Sequence, residues 1–526
     1  MKTTLLQRIV LALGVILVVV LLVLATNLLP LSRDTARGTS LNDSPFAEAT
    51  PLWLPYLVRQ PSQQSTQTPT QQPTQAPTQQ PTQQPPPPPA KQNRRVNIPF
   101  FSAEVPMGET AIFWFGLVNR LDNYTDVRMG YNQDGIAIHL AIIDRTLWYD
   151  PSATAEELTD WDSVSLYFSL QENPASNLEE SDFRFDAQLN WSEPRQAYQA
   201  AYRGNSSGWQ PALLPFTTTT GWRGNAPNDN ATLDNGWWID YIIPFTAFGL
   251  AGPPPPGTMW RLGVVTHDRD VNTAPLNPDK VWPETFRPDQ PDQWGELHFG
   301  LPQYQRPPSE QPFETLLIRQ GLNGQQVMDA MVGGSTDCGD LAAGDNDDYY
   351  RLWGYYNYFG ASQVNIQNQL DIADWGCFSK VYITFPLEQL PNNREVISAT
   401  LELRLFGNSN PEKAKPSLIQ VLSVKEDWDE AKINWNNAPL AFENISQAWV
   451  NPTADGYAEP PSDPYRWDVS LAAAEAYKLG EPLRLVLYSS DLPRHTGKYF
   501  WSSDVDEFLA NVRPLLSVLL GMPSGQ

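Results

Sequence analysis

Beyond residue 92, apolar and polar residues alternate with a period of two in short runs separated by Gly, Asn, Asp and Pro, the pattern of short strands joined by turns. Within residues 127–144, Ile136, Ile138, Leu140 and Ile142 share one face, and Asn132-Gln133-Asp134-Gly135 supplies a hairpin turn before them. The same alternation predicts strands at 163–169, 183–189, 237–244 and 260–266. Further on it predicts strands at 378–385, 396–406, 419–424, 483–489, 498–502 and 513–519. One helix is expected, opening at Trp467-Asp468-Val469-Ser470, running through Lys478 and stopped by Gly480. The expected fold is therefore all-β: two jelly-roll-like β-sandwich domains in tandem, at 93–302 and 313–521.

The first 92 residues read differently. No charge occurs between Ile9 and Ser32, a stretch long enough to cross a bilayer as a helix. Lys2 and Arg8 precede it, so residues 1–32 read as a cytoplasmic tail and transmembrane signal-anchor with the bulk of the chain outside the cell membrane. A cleaved signal peptide and a buried helix are the alternatives; the long apolar run and the lack of a small-x-small site weigh against cleavage. Residues 33–92 form an extracytoplasmic linker. Between Arg59 and Lys91 it is uncharged, rich in Gln, Thr and Pro, and ends in a run from Pro85 to Pro89. Such a segment cannot bury enough surface to offset its chain entropy, and its prolines favour an extended spacer.

Composition narrows the partners. The 35 Lys and Arg against 59 Asp and Glu leave a net charge of −24, which argues against nucleic acid. The 19 tryptophans suit stacking on sugar rings, and equally the core of an all-β protein. Two cysteines, Cys338 and Cys377, on the oxidising side of a membrane are expected to form a disulfide, with two separate buried thiols as the alternative. Four scattered histidines and the absence of Cys-x-x-Cys exclude a zinc motif.

Residues 130–144, Trp161-Asp162-Ser163-Val164 with the strand to Phe168, residues 236–249 with 256–263, and the closing Trp294 to Phe299 occur in the order found in the family 9 carbohydrate-binding modules, within the wider DOMON-like superfamily, which this unit resembles. The resemblance implies a sugar site in which two tryptophans clamp a terminal sugar, helped by an acidic group, an arginine and amides. It places one clamp position at Trp161, the second at Trp282 and the arginine at Arg184. The family's acidic residue after the Ser-Val pair is Ser165 here. Relatives of this fold also bind haem, for which Met107, Met129, His139 and His267 are the available ligands; core packing is the simpler role for them.

In the second unit, Phe385 to Pro391 with 398–403, Asp427-Trp428-Asp429-Glu430, Ile433 to Pro439, Trp467-Asp468-Val469 and Arg513-Pro514-Leu515 resemble the DNRLRE family, also classed among carbohydrate-binding modules. Residues 339–367 are enlarged relative to that pattern. Asp345, Asp347 and Asp348 there are candidate calcium ligands, weighed against a solvated turn because the glycine and distant glutamate of an EF-hand loop are missing. Tyr349, Tyr350, Trp353, Tyr355, Tyr356 and Tyr358 follow, either packing the insertion down or presenting a sugar-stacking platform.

Asp427, Asp429 and Glu430 with His495 come nearest to a catalytic constellation, yet adjacent carboxylates on one turn are better explained as caps for backbone donors. The expected function is a non-catalytic, membrane-anchored, cell-surface protein that binds a polysaccharide or oligosaccharide. A structural cell-envelope protein and a polysaccharide-degrading enzyme are the alternatives.

Overall fold

The computed structural model describes residues 93–523 apart from 274–275, 335–345, 373–374, 454–459, 461 and 494. The membrane span at 9–32, the linker and Cys338 lie outside the described residues, and with Cys338 the pairing to Cys377. Among the described residues no helix is long and apolar enough to cross a membrane.

The protein is all-β, as the alternation requires. The first sandwich contains β1 (Arg95–Ile98), β2 (Ala111–Gly116), β3 (Tyr124–Tyr131), β4 (Gly135–Ile143), β5 (Ser163–Ser169), β6 (Asp182–Gln188) and β7 (Gln199–Asn205). It continues with β8 (Gly208–Pro211), β9 (Thr217–Gly224), β10 (Asp234–Pro244), β11 (Met259–His267), β12 (Lys280–Trp282) and β13 (Gly295–Phe299). One sheet runs β1-β13-β11-β5-β6-β7-β8 with β12 on β11; the other runs β2-β3-β4-β10-β9. The β3–β4 hairpin turns where expected. Asn132 Oδ1 accepts the backbone N–H groups of Asp134 (2.9 Å) and Gly135 (3.1 Å), closing an Asx turn. Ile136, Ile138, Leu140 and Ile142 then point into the core between the sheets, opposite Val164, Leu166 and Phe168 of β5 and Phe183 and Phe185 of β6.

The second sandwich contains β14 (Ser309–Ile318), β15 (Met328–Gly333), helix α1 (Asn346–Leu352), β16 (Gln363–Ile372), β17 (Trp375–Phe385), β18 (Glu395–Asn408) and β19 (Ser417–Ser423). After them come β20 (Glu443–Val450), β21 (Asp463–Asp468), helix α2 (Ser470–Leu479), β22 (Leu483–Ser489), β23 (Lys498–Trp501) and β24 (Leu515–Pro523). The strands form a curled sheet in the order β14-β24-β18-β23-β16-β17-β22-β19-β20, with β15 on β17 and β21 on β18. Helix α2 ends at Gly480, whose φ of 70° releases the chain as predicted. It begins later than expected, because Trp467 still belongs to β21 and Asp468 Oδ1 accepts the N–H of Ser470 (2.9 Å).

Residues 88–526 form one compact unit. The outer faces of β2, β3 and β4 bury Ile112, Trp114, Tyr124, Ala141 and Ile143 against Tyr349, Tyr350, Trp353, Phe378, Trp428, Trp435 and Tyr488 of the second sandwich, making a third hydrophobic core shared by both. Alternation made one face of β4 the core face. The second sandwich makes part of its other face a core as well.

Candidate functional site

The outer face of the β5–β6–β11 sheet carries polar residues at every second position: Ser163 and Ser165 on β5, Asp182, Arg184, Asp186 and Gln188 on β6. Register places Ser165 opposite Asp186 and Tyr167 opposite Arg184. Arg184 grips Asp186 with Nε at 2.8 Å and Nη2 at 2.7 Å, and its guanidinium lies 5.5 Å from the ring centroid of Tyr167 and 5.1 Å from that of Tyr202. Burial pulls Arg184 down, but the Asp186 carboxylate, helped by the hydroxyls of Tyr167 and Tyr202, holds it above the ordinary arginine value.

Ser165 Oγ lies 2.6 Å from Asp186 Oδ1 and 2.9 Å from His267 Nε2, and His267 Nδ1 lies 2.8 Å from Asp279 Oδ1. This serine, histidine and aspartate have the contact order of a hydrolase triad, but the donor count opposes that role. The hydroxyl has one proton, and the Asp186 carboxylate, which only accepts, takes it. His267 Nε2 must then donate to Ser165 rather than draw its proton away. In this arrangement Ser165, fully buried, is a structural link that fixes Asp186 and, through it, Arg184.

The three sugar-clamp candidates are not brought together. Trp282 is 1% exposed and packs into the first core with its ring centroid 4.3 Å from that of Phe113. A Cβ at Gly295 would come within 2.6 Å of its ring, so the indole is enclosed. The clamp assignment of Trp282 is therefore corrected: β12 pairs with β11 and turns this side chain inward. Trp161 is half-buried just before β5, and the Arg269 guanidinium covers one ring face at 4.2 Å. Arg184 sits level with Tyr167, six residues further on, which at strand rise is about 20 Å along the sheet. Trp161 and Arg184 share a sheet but do not enclose one sugar.

At the end of the sandwich where β4, β5 and β11 meet, Asp144, Asp162, Asp268 and Asp270 converge. Burial, reinforced by the neighbouring carboxylates, raises Asp144 and Asp162 well above the ordinary range and Asp268 to about 7. None of these was singled out from sequence, where the acids are dispersed over more than a hundred positions. In the second sandwich Asp329, Glu430 and Asp504 form a similar trio with ligand oxygens within 4.8 Å of one another. Burial pushes Asp329 to about 8 and Glu430 to about 7, the latter helped by Asp504. The expected calcium ligands fare differently. Asp348 is ion-paired with Arg351 on α1, whereas Asp345 and the side chain of Asp347 lie outside what is described.

The aromatic insertion divides its labour. Tyr349, Tyr350 and Trp353 are buried in the shared core, where the single Tyr350 hydroxyl proton is shared between the carbonyls of Asp144 (2.6 Å) and Asp234 (3.0 Å) in the first sandwich. Tyr355, Tyr356 and Phe359 are 54%, 44% and 59% exposed. The turn that carries them is tied down by Asn357 Nδ2, which donates to the carbonyls of Glu430 (2.9 Å) and Ile433 (2.6 Å). A fixed ledge of exposed rings is a surface suited to the C–H faces of a sugar. Next to it the Trp428 turn behaves as a capped structural turn: Asp429 Oδ1 accepts the N–H of Ala431 (3.0 Å) and Trp428 fills the shared core.

No curated protein matches the chain. Among solved structures, a crystal structure from Bacteroides uniformis matches at 12% identity over 40% of this chain and all of that one, with a TM-score of 0.31. A carbohydrate-binding module of family 9 from Caldicellulosiruptor kristjanssonii, in complex with cellotriose, matches at 12% identity over 39% of this chain and 94% of that one, TM-score 0.28. A carbohydrate-binding module of family 9 from the same organism, in complex with glucose, matches at 12% identity over 41% of this chain and all of that one, TM-score 0.27. Residues 354–492, which begin at the exposed ledge and run through most of the second sandwich, match the model of carbohydrate-binding module family 96.

Proposed function

We propose that this protein is a non-catalytic saccharide-binding protein displayed at the cell surface, with residues 9–32 as its membrane anchor and the second sandwich as its principal binding module. The observation that carries the reading is the family 96 match over 354–492, a family described as carbohydrate-binding. The DNRLRE-like residues of the second unit and the family 9-like residues of the first point the same way. The ledge of Tyr355, Tyr356 and Phe359 lies inside the matched segment and offers ring faces in a fixed frame. With a chain this acidic, the favoured ligand is a neutral polysaccharide rather than a polyanion. A ledge of a few rings gives only a few kcal/mol after ordering costs, so one site should bind at about micromolar to millimolar strength. A glycan array probed with the detergent-solubilised full chain tests this: retention on neutral polysaccharides is expected. Absence of retention on every glycan would leave the spacer reading, which the core shared by the two sandwiches favours.

A further inference from the structure

We propose that a groove on the outer face of the β2-β3-β4-β10-β9 sheet docks an extended, lysine-bearing peptide segment of a partner protein. Register places Gly130, Ala137 and Ile242 in one row across β3, β4 and β10. The second sandwich covers this face at Ala141 and Ile143 but leaves Ile242 48% exposed. Over the row lies the segment that follows β1, and between the two runs a groove of about 710 Å³. That volume falls within the range of about 300 to 1,000 Å³ typical of ligand sites.

The walls are fixed before any partner arrives. Phe100 bridges to Tyr131, the Phe101 N–H donates to the Tyr131 carbonyl (2.8 Å), and Asn132 Nδ2 donates to that of Ala103 (3.0 Å). A Cβ on Gly130 would stand 2.9, 3.0 and 3.0 Å from side-chain atoms of Val105, Phe101 and Thr110, so any side chain there would push the segment away. On the far side the Phe245 N–H donates to the Asp134 carbonyl (2.9 Å), holding the hairpin turn against the end of β10. A groove already in shape spares a ligand part of the ordering cost of binding.

The lining selects the occupant by its charge and by what it lacks. Val105, Ala137, Ile242 and Pro244 make an apolar floor, and Glu104, Asp134 and Asp240 add carboxylates with no lysine or arginine among them. Asp240 is already engaged: Oδ1 pairs with His139 Nδ1 (2.7 Å) and Oδ2 accepts from Thr219 Oγ1 (3.1 Å). Glu104 and Asp134 are exposed, and among the described residues no hydrogen bond or ion pair holds either carboxylate. No aromatic ring lines the groove, which removes the stacking surface a sugar uses. A second copy of this chain, at a net charge of −24, would bring acid to acid. In an extended basic peptide successive side chains point to opposite sides, so an apolar residue turned to the floor leaves its lysine neighbours at the rim, where the two free carboxylates stand. The proposal stands whether or not the ledge binds sugar.

The probe is a fluorescein-labelled peptide of alternating lysine and valine, with alternating glutamine and valine as its control. Each is titrated with the full chain in detergent at about 150 mM salt, where the Debye length is about 8 Å and long-range attraction is screened. Anisotropy should rise with the lysine peptide at a Kd of about micromolar to millimolar, and the glutamine peptide should bind at least about tenfold more weakly. Ile242→Lys, which puts a cation on the floor, and the pair Glu104→Gln with Asp134→Asn should each weaken binding at least about tenfold with Tm unchanged. If Ile242→Lys fails to fold, the carboxylate pair decides. Glu412→Gln, at an exposed acid of the second sandwich, should bind like wild type. No binding by wild type overturns the proposal, as does undiminished binding in either folded groove variant. Equal loss in Glu412→Gln overturns it too, by making the attraction a diffuse effect of the acidic chain.

Discussion

Lys380 of the second sandwich places its Nζ 3.9 Å from the ring centroid of Trp114 in the first. The ammonium is fully enclosed: Trp435 lies at 3.6 Å, Tyr124 at 4.8 Å and Tyr488 at 4.9 Å, and Nζ donates to Tyr124 Oη at 2.6 Å. Tyr124 and Tyr488 both donate onward to Asp126, at 2.6 and 2.8 Å. Two rings from each sandwich thus share one cation, and neither sandwich can present that arrangement alone.

This relationship predicts an asymmetry between two substitutions. Lys380→Ala leaves a cavity and strands Asp126 with less compensation, and should cost about 3 to 5 kcal/mol in urea unfolding. Lys380→Met keeps the volume and removes the buried charge, and should stay within about 1.5 kcal/mol of wild type. Burial holds Lys380 well below the ordinary lysine value against the pull of Asp126. The unfolded chain therefore binds the proton more readily, and its contribution makes stability rise with pH up to the ordinary lysine value. Lys380→Met should lack that rise; an unchanged alkaline profile would refute the assignment.

Asp329 supplies a pH dependence of opposite sign. Its folded value of about 8 lies above the unfolded value of about 3.9, so the native state keeps a proton that the unfolded chain has lost. The contribution is fully present below about pH 4 and is lost as pH rises to about 8, at up to about 1.4 kcal/mol per pH unit. Asp329→Asn, measured by urea unfolding in EDTA across that window, should flatten the profile. The same slope in the variant would mean Asp329 titrates normally.

Trp282 and the ledge should behave as opposites. Trp282→Ala is expected to cost about 3 to 5 kcal/mol because it empties a packed core position. A variant that unfolds like wild type would place the indole outside the core.

The combined Tyr355→Ala, Tyr356→Ala and Phe359→Ala variant should unfold within about 1.5 kcal/mol of wild type, since each exposed change typically costs no more than about 0.5 kcal/mol. It should lose retention on whichever neutral glycan holds the wild-type chain. Undiminished retention would exclude the ledge as the binding surface.

Much of the fold was legible because its signals are local. A period of two needs only neighbouring residues, so the β4 core face at Ile136, Ile138, Leu140 and Ile142, the Asn132 turn and the Gly480 helix stop could be read directly. The strand carrying Arg184 was equally visible, as was the choice between packing and display for the tyrosines of the insertion. What tertiary structure alone decided was which of two plausible environments each conspicuous residue enters. Trp282 and Trp161 are both tryptophans beside turns, but the pairing of β12 with β11 buries one and leaves the other half-exposed under Arg269. Tyr350 and Tyr355 sit five residues apart, and only docking against Asp144 and Asp234 makes the first a core residue. Asp144 and Asp268 become neighbours because β4 and β11 end at the same edge of the sandwich. A strand pattern specifies which side of its own sheet a residue faces; what that side meets depends on contacts between residues remote in the chain, which no local period encodes.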